Sequence, residues 1–262
     1  MKVCQGENGT EVTHSFNDRE REKMNYSTGV SVEMCPLFDF SKEPWMLISS
    51  MERQMILAYQ VVRYLDLDRI EGEYSVLDVG CGYCELYTLL HRYRKAKGVS
   101  VKYIGIDVDV DKQIIAKQLR PKVDYRVEDF LTSDPLAEAP FDCVVSGDVL
   151  EHFDAEESNV YLKKMISMLK VGGILVLSYA TPLSTKHREN PFHKLCWSTD
   201  DVEVKLTELG MSISDSFYLG IYKKELPFWS DRLPTDLARN IISVFVDGVE
   251  GNEGITIARR IG

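Results

Sequence analysis

The chain has 262 residues, and its 41 acidic and 31 basic side chains give a formal net charge of −10 at pH 7. Hydrophobic residues make up 44% of the sequence and charged residues 27%, which excludes a chain that is mainly disordered or membrane-spanning. The negative charge disfavours RNA as a partner, because the long-range field of the protein repels phosphates. The six cysteines are scattered, and no run suits export or a membrane span, so we expect a cytoplasmic protein without a membrane partner.

The N-terminal part of the sequence divides into two segments. Residues 1–42 are polar with few apolar side chains, which predicts a partly flexible arm. In residues 43–72, apolar side chains such as Trp45, Ile48 and Met51 recur at intervals of three or four, which is helical spacing. We therefore expect an N-terminal cap of helices here, followed by the main domain at residues 73–262.

In the main domain, short apolar runs alternate with helical stretches, which is the rhythm of βαβ units. Five of these runs are nearly continuous in apolar residues: SVLDV, VKYIGID, VDYRV, FDCVVS and GGILVLSYA. Such runs are typical of parallel strands that helices cover on both faces. Two later runs, MSISDSFYLGIY and GITIARRI, would complete the sheet at its edge, with an insertion at about residues 221–250 between them. The predicted fold class is α/β, with a seven-stranded, mostly parallel, Rossmann-like sheet, helices on both faces and an N-terminal helical cap.

A candidate ligand loop follows the first strand of the main domain. This strand carries Asp78 and runs directly into Gly80-Cys81-Gly82. Glycine lets the backbone approach a ligand at the carboxyl end of the strand, where an open α/β sheet has its crevice. Asp107 ends the next strand, where a carboxylate can accept two hydrogen bonds from a ribose diol. A dinucleotide is disfavoured, because Glu85 would place a carboxylate beside its pyrophosphate.

Five stretches of the chain follow one another in a familiar order: VLDVGCGYCE, YIGIDVD, VEDF, FDCVVSGDVLEHF and LKVGGILVLSYATP. Together they resemble the class I S-adenosylmethionine-dependent methyltransferases, over about residues 75–181. One departure from the family's pattern is Cys84, where the family often has a third glycine. Cys81 and Cys84 form a CxxC pair, but a redox or zinc role is disfavoured because no second cysteine pair follows. The resemblance implies S-adenosylmethionine as cofactor, with its methionine part on Asp78, Gly80 and Gly82, its ribose on Asp107, its adenine on Asp129 and Phe130, and further contacts from Cys81, Val108, Asp148 and Val149.

Methyl transfer requires an aligned acceptor and, where needed, removal of the acceptor's proton. The acceptor should face the cofactor at the end of the fourth strand, where His152 is a candidate general base, although its role could be limited to satisfying backbone groups. The stretch after the fifth strand lies on the same side by topology. It offers His193 as a second catalytic candidate, and His187, Asn190 and Trp197 as candidate pocket residues.

The same residues allow a metal-dependent alternative. Asp148-x-x-Glu151-His152 with a later His193 resembles the metal-binding set of the small-RNA terminal 2′-O-methyltransferases, and mixed carboxylate and imidazole ligands suit a divalent ion. The net charge argues against RNA. We therefore expect a methyltransferase without a metal that acts on an O or N atom of a small molecule or glycan-like metabolite. The alternatives are a metal-dependent RNA 2′-O-methyltransferase and a catalytically silent S-adenosylmethionine-binding module.

Overall fold

The computed structural model describes residues 44–65, 72–97, 100–133, 137–182, 190–221 and 251–262. The predicted arm at residues 1–42, nearly all of the predicted insertion and the candidate residue His187 lie outside the described residues. No helix in the described ranges is long and apolar enough to cross a membrane.

The helices and strands alternate along the chain as the apolar runs predict. The helices are α1 (Pro44–Tyr64), α2 (Glu85–Lys97), α3 (Val110–Leu119), α4 (Ala155–Ser167) and α5 (Thr199–Glu208). The strands are β1 (Glu73–Val79), β2 (Ser100–Asp107), β3 (Asp124–Val127), β4 (Phe141–Gly147), β5 (Leu169–Ala180), β6 (Met211–Ile221) and β7 (Gly251–Arg260). A short 3₁₀ turn at Leu150–His152 follows β4.

The strands form one sheet in the order β3-β2-β1-β4-β5-β7-β6. Strands β3, β2, β1, β4 and β5 pair in parallel, and β7 runs antiparallel between β5 and β6. The predicted seven-stranded, mostly parallel sheet is therefore confirmed. From β1 the chain crosses to β2 on one side, whereas β4 lies on the other side, so a crevice opens outside the carboxyl ends of β1 and β4.

Both faces of the sheet are buried under helices, which explains the near-continuous apolar strands. Successive side chains of a strand point to opposite faces, so Val76 and Leu77 enter two different cores. One core receives apolar side chains from α4 and α5, and the other receives them from α1, α2 and α3. Helix α1 lies over the end of β4, where the side chain of Leu57 is buried next to Gly147.

Helix α5 is absent from the predicted elements, although its first residues carry a recognisable signal. The Ser198 hydroxyl oxygen accepts a hydrogen bond from the Asp201 backbone N–H at 3.1 Å, and the Asp201 carboxylate accepts one from the Ser198 N–H at 3.2 Å. This reciprocal pair is a capping box, with Asp in the position where Glu is more usual. The pattern Ser-x-x-Asp before apolar residues could therefore have predicted the helix.

Leu77 gives a direct test of the core of this sheet. It is fully buried in the central strand β1, so we expect Leu77→Ala to lower the free energy of unfolding by about 2–5 kcal/mol through lost contacts and a cavity. Val171 is 69% exposed, and Val171→Ala is the matched control, with an expected change within about 0.5 kcal/mol. Urea denaturation measures both. Similar losses in the two variants would contradict the arrangement of the core.

Candidate functional site

The candidate ligand loop, residues 80–84 between β1 and α2, is called the cofactor loop below. It is folded back onto the end of β2. The backbone N–H groups of Gly80 and Cys81 both donate to the carbonyl oxygen of Ile106, at 2.8 and 3.0 Å. Gly80 has a φ of 75°, and a Cβ atom there would lie 2.2 Å from Cγ2 of Val149. Glycine is therefore required at position 80 for two reasons: the left-handed backbone and the close approach of the turn after β4.

Asp107 ends β2 with a carboxylate that is 6% exposed. Its Oδ2 accepts a hydrogen bond from the Gly82 N–H at 2.9 Å, and its Oδ1 accepts one from the Asp109 N–H at 3.1 Å. Burial raises the pKa of Asp107, whereas Lys112, 4.0 Å away, lowers it. Each carboxylate oxygen has two acceptor positions, so this side chain retains acceptor capacity for a diol, as the ribose of a nucleoside requires.

Asp78 is a buried carboxylate beneath the cofactor loop. It accepts a hydrogen bond from the Tyr103 hydroxyl. Burial raises the pKa of Asp78 to about 7; the Tyr103 hydrogen bond lowers this pKa, and the charges of Glu85 and Asp107 raise it. Three acidic groups at one loop favour a cationic ligand and oppose a pyrophosphate. S-adenosylmethionine carries a sulfonium and an ammonium and no phosphate, so these residues fit it.

Two cysteines pack the cofactor loop against β2. Cys81 and Cys84 are buried free thiols, and a Cβ atom on Gly105 would lie 2.8 and 3.0 Å from their sulfur atoms. Burial raises the pKa of Cys81 well above its usual value, so the thiol stays protonated. The pair therefore fills space beside β2 in the manner of small apolar side chains.

The predicted adenine-binding residues follow β3. The Asp129 carboxylate accepts a hydrogen bond from the Leu131 N–H at 2.9 Å, which stabilises the turn. The Phe130 ring is buried in the core and packs edge-on against Tyr161, with 5.5 Å between ring centroids. Val108, next to Asp107, is 42% exposed. The Glu128 N–H donates to the Asp107 carbonyl oxygen at 3.0 Å, so Val108 and the 129–130 turn both adjoin the end of β2, while the Phe130 ring packs in the core.

Asp148, the residue after β4, turns its carboxylate toward helix α1. It has a left-handed φ of 54°, and its N–H donates to the Ser178 carbonyl oxygen at 3.0 Å. Its Oδ1 accepts a hydrogen bond from the Ser178 hydroxyl at 3.2 Å, and its Oδ2 forms an ion pair with Arg53. The guanidinium of Arg53 also lies 3.7 Å from Glu253 on β7. Helix α1 therefore supplies a cation to the carboxyl end of the sheet.

The 3₁₀ turn after β4 and the segment before α5 bring two histidines and a glutamate together. The backbone N–H groups of Lys194 and Leu195 donate to the Glu151 carbonyl oxygen at 2.8 and 3.2 Å, which fixes the two segments to each other. The rings of His152 and His193 meet edge to face, with centroids 4.9 Å apart. Ligand atoms of Glu151, His152 and His193 all lie within 4.8 Å of one another.

Glu151 is the buried member of this group. It is fully buried, and neither carboxylate oxygen has a hydrogen-bond partner in the described part of the chain. Burial raises the pKa of Glu151 to about 7, and Arg53 lowers it. Asp148, the fourth residue of the predicted metal set, is not in the group, because its carboxylate is engaged by Arg53 and Ser178. An orphaned carboxylate beside two imidazoles could hold a proton or a divalent cation.

The remaining predicted pocket residues have local structural roles. The Asn190 side-chain oxygen accepts a hydrogen bond from the Phe192 N–H at 3.0 Å and closes a turn. Trp197 is 9% exposed and belongs to the core. Conversely, Arg53, Tyr103 and Glu253 border the site without any local sequence pattern that would mark them. They become visible only when the fold brings distant segments together.

Gly80 and Gly82 form a matched pair for testing the loop. Both have positive φ, but a Cβ atom on Gly82 would meet nothing within 4 Å. We expect Gly82→Ala to cost about 1–2 kcal/mol of stability from backbone strain alone. Gly80→Ala should cost roughly 1–3 kcal/mol more through overlap with Val149. The double variant Gly80→Ala/Val149→Ala should recover part of that loss in a thermodynamic cycle. Equal losses with no recovery would contradict the close approach.

Comparison with known proteins agrees with this geometry. Residues 77–177 match the family model of a methyltransferase domain, and no curated protein matches the chain. An S-adenosylmethionine-dependent methyltransferase from Archaeoglobus fulgidus is 20% identical with a TM-score of 0.53, over 82% of this chain and 99% of that one. Magnesium protoporphyrin IX methyltransferase from Synechocystis, solved with bound S-adenosylmethionine, is 17% identical with a TM-score of 0.53, over 93% and 91%.

A third similar structure is a protein solved in complex with the Haloferax volcanii Trm112 methyltransferase activator. It is 17% identical with a TM-score of 0.57, over 86% of this chain and 96% of that one. At these identities the solved structures establish the fold, and the family model identifies the domain. The chain therefore carries a methyltransferase domain with the class I, Rossmann-like fold, a fold that it shares with a methyltransferase solved with bound S-adenosylmethionine.

Proposed function

We propose that the chain transfers a methyl group from S-adenosylmethionine to an O or N atom of a small-molecule or glycan-like acceptor. In this proposal His152 and His193 are the catalytic residues: His152 receives the acceptor's single proton, and His193, whose ring contacts that of His152, lines the acceptor position. The observation that carries the proposal is the contact of these two imidazoles beside buried Glu151. His152 follows β4, whose carboxyl end borders the cofactor loop, and His193 lies in the segment between β5 and α5.

The cofactor supplies a methyl group that is already activated on a positively charged sulfur. The protein's part is to bind it and to align the acceptor. We assign Asp107 to the ribose hydroxyls and Asp78 to the cofactor's amino group, and expect Phe130 and Asp148 to contribute through their main chain. The proposed cofactor-binding residues are Asp78, Gly80, Cys81, Gly82, Asp107, Val108, Asp129, Phe130, Asp148 and Val149.

His152 has the protonation state that a general base needs. Its Nδ1 lies 3.1 Å from the carbonyl oxygen of Phe192. A carbonyl oxygen only accepts hydrogen bonds, so Nδ1 carries the hydrogen and Nε2 keeps a lone pair. Burial lowers the pKa of His152, so the ring is neutral at pH 7. A neutral imidazole with a free Nε2 can accept the proton that an attacking hydroxyl or amine releases.

The charges around the site favour a small acceptor over a nucleic acid. Asp148, Glu151 and Glu253 lie on this side of the crevice with Arg53 among them. A chain of phosphates would meet the partly exposed carboxylates of Asp148 and Glu253 as well as the net charge of −10. Neutral hydroxyl or amine acceptors avoid this repulsion.

The histidine and glutamate group also favours a second candidate function, a metal-dependent 2′-O-methyltransferase acting on RNA. Glu151, His152 and His193 offer one carboxylate and two imidazoles, a ligand set that suits Mn²⁺, Co²⁺ or Mg²⁺. A divalent ion held by three side chains would keep open positions for the oxygens of a ribose diol. In this reading Asp148 is not a ligand, because Arg53 occupies its carboxylate.

The pH dependence of cofactor binding tests the role of Asp78. Its ionised form attracts the cofactor's ammonium, so the affinity for S-adenosylhomocysteine should rise between about pH 6 and about pH 8, through the pKa of about 7. Tyr103→Phe removes a hydrogen bond that lowers this pKa, so the midpoint should move to higher pH. Tyr64→Phe, which removes a hydroxyl bonded to distant Asp215, is the control. Calorimetry would contradict the assignment if Tyr103→Phe left the profile unchanged.

The two readings of the histidines predict different responses to a chelator. Turnover is measured as S-adenosylhomocysteine released on a panel of hydroxyl and amine acceptors and on a short RNA. As general bases, His152→Ala and His193→Ala should each lower turnover by about 10²- to 10⁴-fold with unchanged cofactor affinity, and EDTA should have no effect. His91→Ala on α2, whose ring stacks on Tyr87, is the control.

Other outcomes separate the alternatives. If EDTA abolishes turnover and added Mn²⁺ restores it, the metal-dependent reading is correct, and turnover restricted to RNA would overturn the small-molecule proposal. If the chain binds the cofactor but no acceptor in the panel yields product, the catalytically silent module is favoured over both enzymes.

A further inference from the structure

Helix α1 docks directly on the end of the strand that leads to the acceptor site. Two of the helix's own side chains, Leu57 and Val61, are buried in the core. A Cβ atom on Gly147 would lie 3.1 Å from Cδ1 of Leu57, so the absence of a side chain at the end of β4 allows the helix to approach. A shift of α1 would therefore change the packing around Gly147, the last residue of β4.

Arg53 joins this helix to the next residue, Asp148. The Arg53 side chain is 17% exposed and the Asp148 side chain 26% exposed. A pair that is mostly out of water is screened less by salt than a surface pair. Glu253, 3.7 Å from the same guanidinium, adds a contact from β7. Arg53 thus connects one helix to two strands of the sheet.

Asp148 adopts a backbone conformation that depends on its neighbours. Its φ of 54° lies in the left-handed region, which is uncommon outside glycine and which Asp adopts when its side chain forms local polar contacts. The support consists of the Ser178 carbonyl and hydroxyl and the Arg53 guanidinium. The following residue, Val149, then meets the cofactor loop at Gly80. An unbroken series of contacts runs from α1 through Asp148 to the loop.

We propose that Arg53 is a positioning residue that couples the docking of helix α1 to cofactor binding. The Arg53 ion pair holds the Asp148 turn in the conformation that shapes the Gly80 loop. Because such coupling is reciprocal, the cofactor in turn stabilises the docked helix. The inference rests on the cofactor and is independent of which acceptor is methylated.

Calorimetric titration of the 262-residue chain with S-adenosylhomocysteine tests the coupling. Arg53→Gln should bind about tenfold more weakly than the wild type, a change within the usual range for coupled sites. Arg63→Gln is a matched control, because Arg63 lies on the same helix and pairs with Asp215 at 3.3 Å, far from the loop. It should bind like the wild type. Equal affinities for Arg53→Gln and wild type, or equal weakening in both variants, would overturn the proposal.

Hydrogen exchange of the peptides from residues 44–64 supplies a second readout. In the wild type and in Arg63→Gln, S-adenosylhomocysteine should slow exchange of α1 severalfold, whereas in Arg53→Gln it should not. A purely structural Arg53 would raise exchange in the free protein yet leave the ligand's effect intact, which would also overturn the proposal.

A further pair of variants covers a failure to fold. If Arg53→Gln proves unfolded by circular dichroism, Asp148→Asn removes the same ion pair from the β4 side, with Asp215→Asn as its control. Weaker binding and loss of the ligand's effect on exchange in Asp148→Asn alone would support the proposal, and equal results for Asp148→Asn and its control would overturn it. If the wild-type chain bound no S-adenosylhomocysteine, the proposed function would fail instead, because the chain would not use S-adenosylmethionine as its cofactor.

Discussion

The contact between Gly80 and Val149 is the constraint on which the arrangement of the site depends. Gly80 follows β1 and Val149 follows β4. These two strands are neighbours in the sheet, at the point where the order of the strands reverses. A side chain at position 80 would push the turn after β4 away from the cofactor loop. In the proposed function Asp148, Glu151 and His152, on the acceptor side, continue from that turn, so the contact between Gly80 and the Val149 side chain would set the distance between acceptor and cofactor.

Charge makes a second contribution to the specificity of the crevice. The carboxyl groups of Asp78 and Asp107 are buried, and burial is the largest cause that raises the pKa of each. A fold keeps such groups at some cost to its stability, because charged forms are poorly solvated inside a protein. A cationic ligand offsets that cost when it binds. The acidic side chains Asp78, Glu85 and Asp107 therefore oppose a pyrophosphate and suit a sulfonium cofactor.

The fold was predictable because its signals are local. Continuous apolar strands arise from burial on both faces, and the cofactor loop lies within one short stretch of sequence between Asp78 and Glu85. Helix α5 also has a local signal, the capping box of Ser198 and Asp201. β5 begins at Leu169, earlier than its predicted GGILV run, because the register shift next to Phe141 lets Leu169 pair there.

The acceptor side was less predictable, since it is built from residues far apart in the chain. Arg53 approaches Asp148 and Glu253 from a helix before the first strand, and no sequence pattern links these three positions. His152 and His193 were chosen from topology, but the withdrawal of Asp148 from their group depends on Arg53. The Phe130 ring likewise has no sequence feature that distinguishes core packing from contact with adenine.

The most direct measurement of the central claim is calorimetric titration of the wild type and Asp107→Ala with S-adenosylhomocysteine and with NAD. We expect the wild type to bind S-adenosylhomocysteine and not NAD, and Asp107→Ala to bind S-adenosylhomocysteine at least about tenfold more weakly because it loses hydrogen bonds to the ribose. Equal affinity of both proteins for S-adenosylhomocysteine, or tight binding of NAD, would contradict the central claim.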